Sequence, residues 1–230
     1  MLKEILKMNI LGLDTSTEVC SVALKVGQKI NKINIPTPRE HTLKILPYID
    51  KLLKQFNISI SDLNLVCVGS GPGSFTGIRV ALGVAKGIAF GLNIPVVSLS
   101  SLEVMSYSAL KTHNSKYIFA AMDARMNQVY FSLFHKAKTT NNLESILDER
   151  VIDPHEALEF VLKYKSEAIL VGNGWDAYEE LHNNLTSIHN AEIFYPDAED
   201  LINLGYISFL NGNYKSATEL EALYIRNKIV

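Results

Sequence analysis

Apolar and polar positions along this chain change period several times, and the changes come twice in the same order. NILGLD (9–14) is an apolar run closed by an acid, TSTE makes a polar turn, and VCSVALKV (19–26) alternates with the period of two expected of a half-buried strand. YIFAAMD, ARMN and QVYFSLF repeat that order: Asp14 aligns with Asp123, and Cys20, Val22 and Leu24 align with Val129, Phe131 and Leu133. Further on, NLVCVGSG (64–71) reads as a buried strand running into Gly-x-Gly before a helix, and EAILVGNG (167–174) does the same, matching Gly69 and Gly71 to Gly172 and Gly174. Either feature alone is common. Together they predict an internal duplication: an α/β fold of two lobes, each a hairpin-led sheet followed by helices. The polar, unpatterned LKTHNSK puts the boundary between 1–113 and 114–230.

Helical spacing fills the gaps. Residues 40–56 carry Leu43, Leu46, Ile49, Leu53 and Phe56 as one expected face, with Pro47 as an expected bend. DPHEALEFVLKY opens with Asp153 as N-cap, Pro154 in the first turn and Glu156 as a capping partner. DAEDLINLGYISFLNGNY starts on acids and stops at Asn211-Gly212. The helix over 74–91 has two small-residue ridges, Gly77–Ala81–Ala85–Ala89 and Gly83–Gly87–Gly91. Each glycine inside a helix costs about 1 kcal/mol relative to alanine, so something requires close backbone approach. Either its own sheet or a helix of a second chain fits that requirement.

Composition narrows the classes. Of 230 residues, 47% are hydrophobic and 20% charged, as in an ordinary globular protein, and a net charge of −2 gives no footprint for unaided nucleic-acid binding. Cys20 and Cys67 both sit in apolar runs and read as buried, reduced thiols. The N-terminus, with Lys3, Glu4 and Lys7, does not read as a signal peptide. The greasy stretch from Ile78 to Val97 is broken by Arg79, Lys86 and Pro95, so no membrane span is expected. The expectation is a soluble, cytoplasmic protein.

Candidate chemistry is thin. The loop Gly69, Gly71, Pro72, Gly73, Ser74 fails the Walker A spacing, because Gly73 and Gly77 enclose three residues and Ile78 follows. It is no nucleophile elbow either, since Phe75 stands in the middle of GSFTG. A weak anion site at a helix start and a merely tight turn both remain open. Asp14 with Thr15, Ser16 and Thr17 reads either as a Mg²⁺- and phosphate-holding turn or as an Asx-type turn. Asp123 is expected to face Asp14 across an interlobe cleft, with Arg125 as a phosphate ligand or a salt-bridge partner. The six histidines show no metal-ligand spacing and no nucleophile–base pair can be read. The pattern suits a scaffold with a vestigial nucleotide cleft and no metal.

ILGLDTSTEVCSVAL, PREHTLKILPYID, GSGPGSFTGIRVALGVAKGIAFGL, AAMDARMNQVYFSLF and YIRN, in this order over nearly the whole length, resemble the TsaB (YeaZ) family. The resemblance implies the actin/Hsp70-like (ASKHA) fold and a part in making threonylcarbamoyladenosine beside the anticodon of tRNAs that read codons starting with A. It implies a non-catalytic paralogue of the transferase TsaD, joined by the ATPase TsaE; without TsaD, the apolar face left on the two matched helices is expected to form a homodimer. tRNA would be met only through the complex. No cofactor of its own is implied, with ATP or ADP entering at the level of the complex. The implied interface lies on the two matched helices: His41, Leu43, Leu46, Ile49, Leu53, Phe75, Gly77, Arg79, Val80, Gly83, Val84 and Gly87. Two other classes stand beside this one: a kinase or nucleotide hydrolase of the same fold, using Asp14 and Asp123 around Mg²⁺-ATP, and a protease-like protein. Nucleotide turnover and metal content separate both from a scaffold.

Overall fold

In the computed structural model of the chain, residues 8–137 and 143–225 are described. Lys3, Glu4 and Lys7 of the N-terminal reading, and the last two residues of YIRN, lie outside the described residues. β1 (Asn9–Asp14), β2 (Val19–Val26) and β3 (Lys29–Pro36) form an antiparallel meander, and β4 (Leu65–Gly69) and β5 (Val96–Leu99) extend it in parallel beyond β1. The strand order is β3-β2-β1-β4-β5. β6 (Tyr117–Arg125), β7 (Gln128–Lys136) and β8 (Leu143–Ile152) form a second meander, extended in parallel beyond β6 by β9 (Ala168–Val171) and β10 (His189–Asn190). Its order, β8-β7-β6-β9-β10, repeats the first strand for strand. Asp14 closes β1 and Asp123 lies near the end of β6, at equivalent places in the repeat.

The helices repeat too. α1 (His41–Phe56) joins β3 to β4, α2 (Phe75–Leu92) joins β4 to β5, and α3 (Ser101–Thr112) follows β5. In the second half α4 (Pro154–Lys163), α5 (Glu179–Asn184) and α6 (Ala198–Leu210) occupy the corresponding places. The terminal helix of each half, however, packs on the other half's sheet. Leu102, Met105, Ala109 and Leu110 of α3 cluster with Ile118, Ala120, Met122 and Phe134. α6 lies against the first sheet so closely that a Cβ on Gly12 would stand 2.7 Å from Ala198 O, and one on Gly205 2.5 Å from Cys67 Sγ.

The compact units are therefore Met1–Ser100 with Pro196–Leu223, and Ser101–Tyr195 with Tyr224–Val230. This corrects the boundary at 113/114. Only the second part of LKTHNSK, residues 113–116, is a loop, and the helix that ends at Thr112 buries its apolar face on the sheet that comes after.

Local signals explain the helix ends. Asp153 accepts the Glu156 N–H at 2.9 Å, Asp197 accepts the Glu199 N–H at 2.8 Å, and Ser74 accepts the Gly77 N–H at 3.3 Å. α1 runs through Pro47, which sits on its exposed side. α2 is long and apolar enough to cross a membrane by length and composition, yet Ile78, Ala81, Leu82, Ala85 and Ala89 pack into the core of the first unit. Both cysteines are free and buried, and burial pushes the Cys20 thiol up to about 11.

The β6–β7 turn holds three consecutive non-glycine residues in the left-handed region: Arg125 (φ 61°), Met126 (φ 55°) and Asn127 (φ 56°). That conformation costs an L-residue about 1 kcal/mol or more. The Met126 side chain is 73% exposed, so little packing is lost by trimming it. Met126→Gly is expected to stabilise the fold by up to about 1 kcal/mol, read as a higher melting temperature.

Candidate functional site

The first candidate is the turn at residues 14–17. Asp14 is buried, and its Oδ1 accepts both the Ser16 N–H (2.9 Å) and the Ser16 hydroxyl (2.8 Å), forming an Asx turn. Its Oδ2 has no hydrogen-bond partner among the described residues and lies against Gly69, where any Cβ would overlap it. Burial raises the Asp14 pKa to about 6, and the two Ser16 hydrogen bonds oppose the rise without cancelling it.

The glycine loop closes onto this turn. Ser74 N–H donates to Ser16 O at 2.7 Å, and the Thr15 hydroxyl donates to Gly77 O at 2.7 Å. A Cβ at Gly73 would overlap Ser16 O, and one at Gly77 would overlap Thr15 O. Thr17 turns its hydroxyl to the Val19 N–H at 3.2 Å. Gly71 (φ 106°) leads through a cis peptide bond into Pro72, and a Cβ on it would meet Ile78. The Ser74 and Gly77 N–H groups that would face a phosphate are thus held by Ser16 O and by Ser74 Oγ. Close packing of loop on turn accounts for the glycines.

In the second unit, Asp123 is saturated. Its Oδ1 accepts the Tyr178 hydroxyl (2.9 Å) and the Arg125 N–H (2.8 Å), and its Oδ2 pairs with Arg125 Nη1 at 2.9 Å. Arg125 is therefore a salt-bridge partner, and with its side chain 87% exposed the pair contributes little to stability. Among the described residues, no group of three His, Cys, Asp or Glu side chains is arranged to hold a metal.

The second candidate is the face formed by α1 and α2. α1 turns His41, Ile45, Ile49, Leu52 and Leu53 into the core, and α2 turns in Gly77, Ile78, Ala81, Leu82, Ala85 and Ala89. Leu43 (69% exposed), Leu46 (57%), Phe75 (67%) and Phe90 (71%) point to solvent. Gly83, Gly87 and Gly91 are exposed, with no atom within 4 Å of a Cβ built on any of them. Val80 and Val84 are half-buried, and Arg79 stacks on Phe75 at 3.2 Å from the ring centroid while donating to Phe75 O at 3.0 Å.

This divides the residues expected to meet a partner. His41, Ile49, Leu53 and Gly77 are interior and unavailable on the surface of the unit, which corrects their assignment to the interface. For Ile49 the physical reason is phase, since two steps of three put it about 120° around α1 from Leu43. Leu53 lies about 20° from Leu46 in phase but two turns further on, where it packs into the core of the unit. His41 has its own task at the start of α1. Its Nδ1 lies 3.2 Å from Thr37 Oγ1, a backbone hydrogen bond links it to Thr17, and burial lowers its pKa. Phe90 and Pro47 extend the outward face beyond the expected residues, and their helical spacing, Phe90 three residues after Gly87 and seven after Gly83, Pro47 four after Leu43, was the available signal.

A repeated α/β unit, with an acid at or near the end of each leading strand, is the class the fold defines. The family model described as "TsaD: tRNA N6-adenosine threonylcarbamoyltransferase" matches residues 35–208. A tRNA threonylcarbamoyladenosine biosynthesis protein TsaB from Haemophilus influenzae is 37% identical, over 96% of this chain and 95% of its own. The Escherichia coli K12 protein of the same name is 33% identical, over 96% of each. The structure of YeaZ from Pseudomonas aeruginosa superposes with a TM-score of 0.80 at 28% identity, covering 94% of this chain and all of its own. The chain belongs to the TsaB (YeaZ) family.

Proposed function

We propose that this chain is the non-catalytic partner of a TsaD-type transferase in the threonylcarbamoyl modification of tRNA adenosine, at the position beside the anticodon. The observation that carries the reading is the outward face of α1 and α2: four large exposed apolar side chains beside a glycine ridge that nothing in its own unit fills. Contiguous apolar surface of this kind marks an interaction site. Exposed glycines inside a helix are explained when another backbone comes close. The relatives named for this biosynthesis, and the likeness of most of the chain to the transferase family model, support a transferase of that family as the partner.

In this reading a paralogous transferase presents equivalent helices and forms a bundle with α1 and α2. The same face pairs two copies of this chain when the transferase is missing, so the two assemblies compete. The ATPase TsaE joins the heterodimer, and tRNA is met through the complex. The chemistry resides in the transferase: here the Ser74 and Gly77 amides are taken by Ser16 O and Ser74 Oγ, and Asp123 is paired with Arg125 and hydrogen-bonded by Tyr178.

The test is reconstitution with the cognate transferase, TsaE, the threonylcarbamoyl-adenylate donor and tRNA, reading modified adenosine by mass spectrometry. Product is expected only when this chain is included, and none from this chain without the transferase. Leu46→Glu places a charge in the contact and is expected to reduce product and pairing at least about tenfold, with an unchanged melting temperature at dilutions where the chain is monomeric, because Leu46 is exposed on the unit. One observation favours a second reading, a nucleotide-dependent enzyme of the same fold: the partnerless Oδ2 of Asp14. ATP turnover by the purified chain above a buffer control would support it.

A further inference from the structure

The two helices of the exposed face have one thing in common inside the unit: both start on the turn headed by Asp14. α2 is tied there by Ser74 N–H to Ser16 O (2.7 Å) and by the Thr15 hydroxyl to Gly77 O (2.7 Å). Gly73 and Gly77 lack side chains where the Ser16 and Thr15 carbonyls press against them. α1 is tied there by His41, which is hydrogen-bonded to the Thr17 backbone and to Thr37, whose own N–H donates to Glu18 O at 2.9 Å. Asp14 sets the shape of the turn by holding the Ser16 N–H and hydroxyl on Oδ1.

We infer that Asp14 is a positioning residue for the partner face: through the 14–17 turn it sets where the first turns of α1 and α2 stand relative to each other. The inference rests on the reading that this face pairs with the transferase. It explains why an acid-and-hydroxyl turn persists in a chain whose loop amides are already committed. Small errors at such an anchor are felt along the helices it holds. A bundle contact built on glycines, with backbones in near contact, tolerates little change in helix spacing.

The test uses the full chain with its cognate transferase and compares Asp14→Ala, Asp14→Asn and Thr15→Val. Alanine releases both Ser16 donors, asparagine keeps an acceptor at Oδ1, and valine keeps the shape of Thr15 without its hydroxyl. Asp14→Ala and Thr15→Val are expected to weaken pairing roughly tenfold, the scale of one or two lost hydrogen bonds. Asp14→Asn is expected to pair like the wild type. Hydrogen exchange on the isolated variants adds a readout that needs no partner: faster exchange at the first turns of both α1 and α2 in Asp14→Ala, restored in Asp14→Asn, with the strands of the second unit unaffected. Wild-type pairing affinity in Asp14→Ala, or weaker pairing that asparagine does not rescue, overturns the inference. Exchange that changes evenly through the unit overturns it as well. If the wild type itself fails to pair, the functional reading fails, while the exchange comparison still decides whether Asp14 holds the two helices.

Discussion

Gly87→Leu leaves the isolated chain folded and lowers its affinity for the transferase by one to two orders of magnitude, while Gly77→Ala, ten residues earlier on the same helix, damages the fold. The two glycines look alike in sequence and differ in surroundings. A Cβ on Gly87 meets nothing within 4 Å, so in the free chain leucine removes the helical cost of glycine, about 1 kcal/mol, and the melting temperature stays or rises. Against a partner helix the same side chain overpacks a close contact, typically costing ~1–3 kcal/mol, which at ~1.4 kcal/mol per tenfold gives the stated loss. A Cβ on Gly77 instead overlaps Thr15 O, a backbone atom that cannot swing aside. Calorimetry on both variants, paired with a binding titration, reads the contrast. Early melting of Gly87→Leu would put the ridge inside its own unit.

The second large effect is a pH dependence carried by Asp14. Its folded pKa is raised to about 6 from 3.8, so between those values the folded state binds more protons than the unfolded one. Its contribution is fully present below the unfolded value and is lost as pH rises through about 6. The size is about 3 kcal/mol, at ~1.4 kcal/mol for each pH unit separating the two values. His41 works the other way, because a lowered histidine pKa costs stability on acidification. The informative pair is therefore wild type and Asp14→Asn, which shares His41 but lacks the titrating carboxyl. Denaturant unfolding between about pH 4 and pH 7 is expected to show the wild type losing about 3 kcal/mol relative to the asparagine variant as pH rises. A constant difference across that range would mean that Asp14 titrates normally.

The duplication was legible because each leading strand carries an acid at or near its end, and β4 and β9 each run into glycines that close packing requires. β3 and β8 left almost no pattern. They are edge strands, and in β3 only Ile33 is buried, so Lys29, Lys32, Asn31 and Asn34 replace the alternation a central strand would show. The exchange of α3 and α6 between sheets was invisible for a different reason: periodicity tells that a helix has an apolar face, not which sheet receives it. At the site, Gly83 and Gly87 could be picked out because exposed glycine has no local reason inside a helix. Which leucines of α1 face outward could not be read by eye, since Leu43, Leu46, Leu52 and Leu53 are chemically alike, and Leu46 and Leu53, about 20° apart in phase, differ only in what packs against them along the helix.

Sedimentation velocity of this chain mixed in equal amounts with its cognate TsaD-type transferase tests the pairing through α1 and α2 most directly. The expected result is a single faster boundary containing both chains, lost in Gly87→Leu and Leu46→Glu although both variants keep at least the wild-type melting temperature at dilutions where the wild type is monomeric. Two independent boundaries for the wild-type mixture, or a complex that both variants still form unchanged, would contradict it.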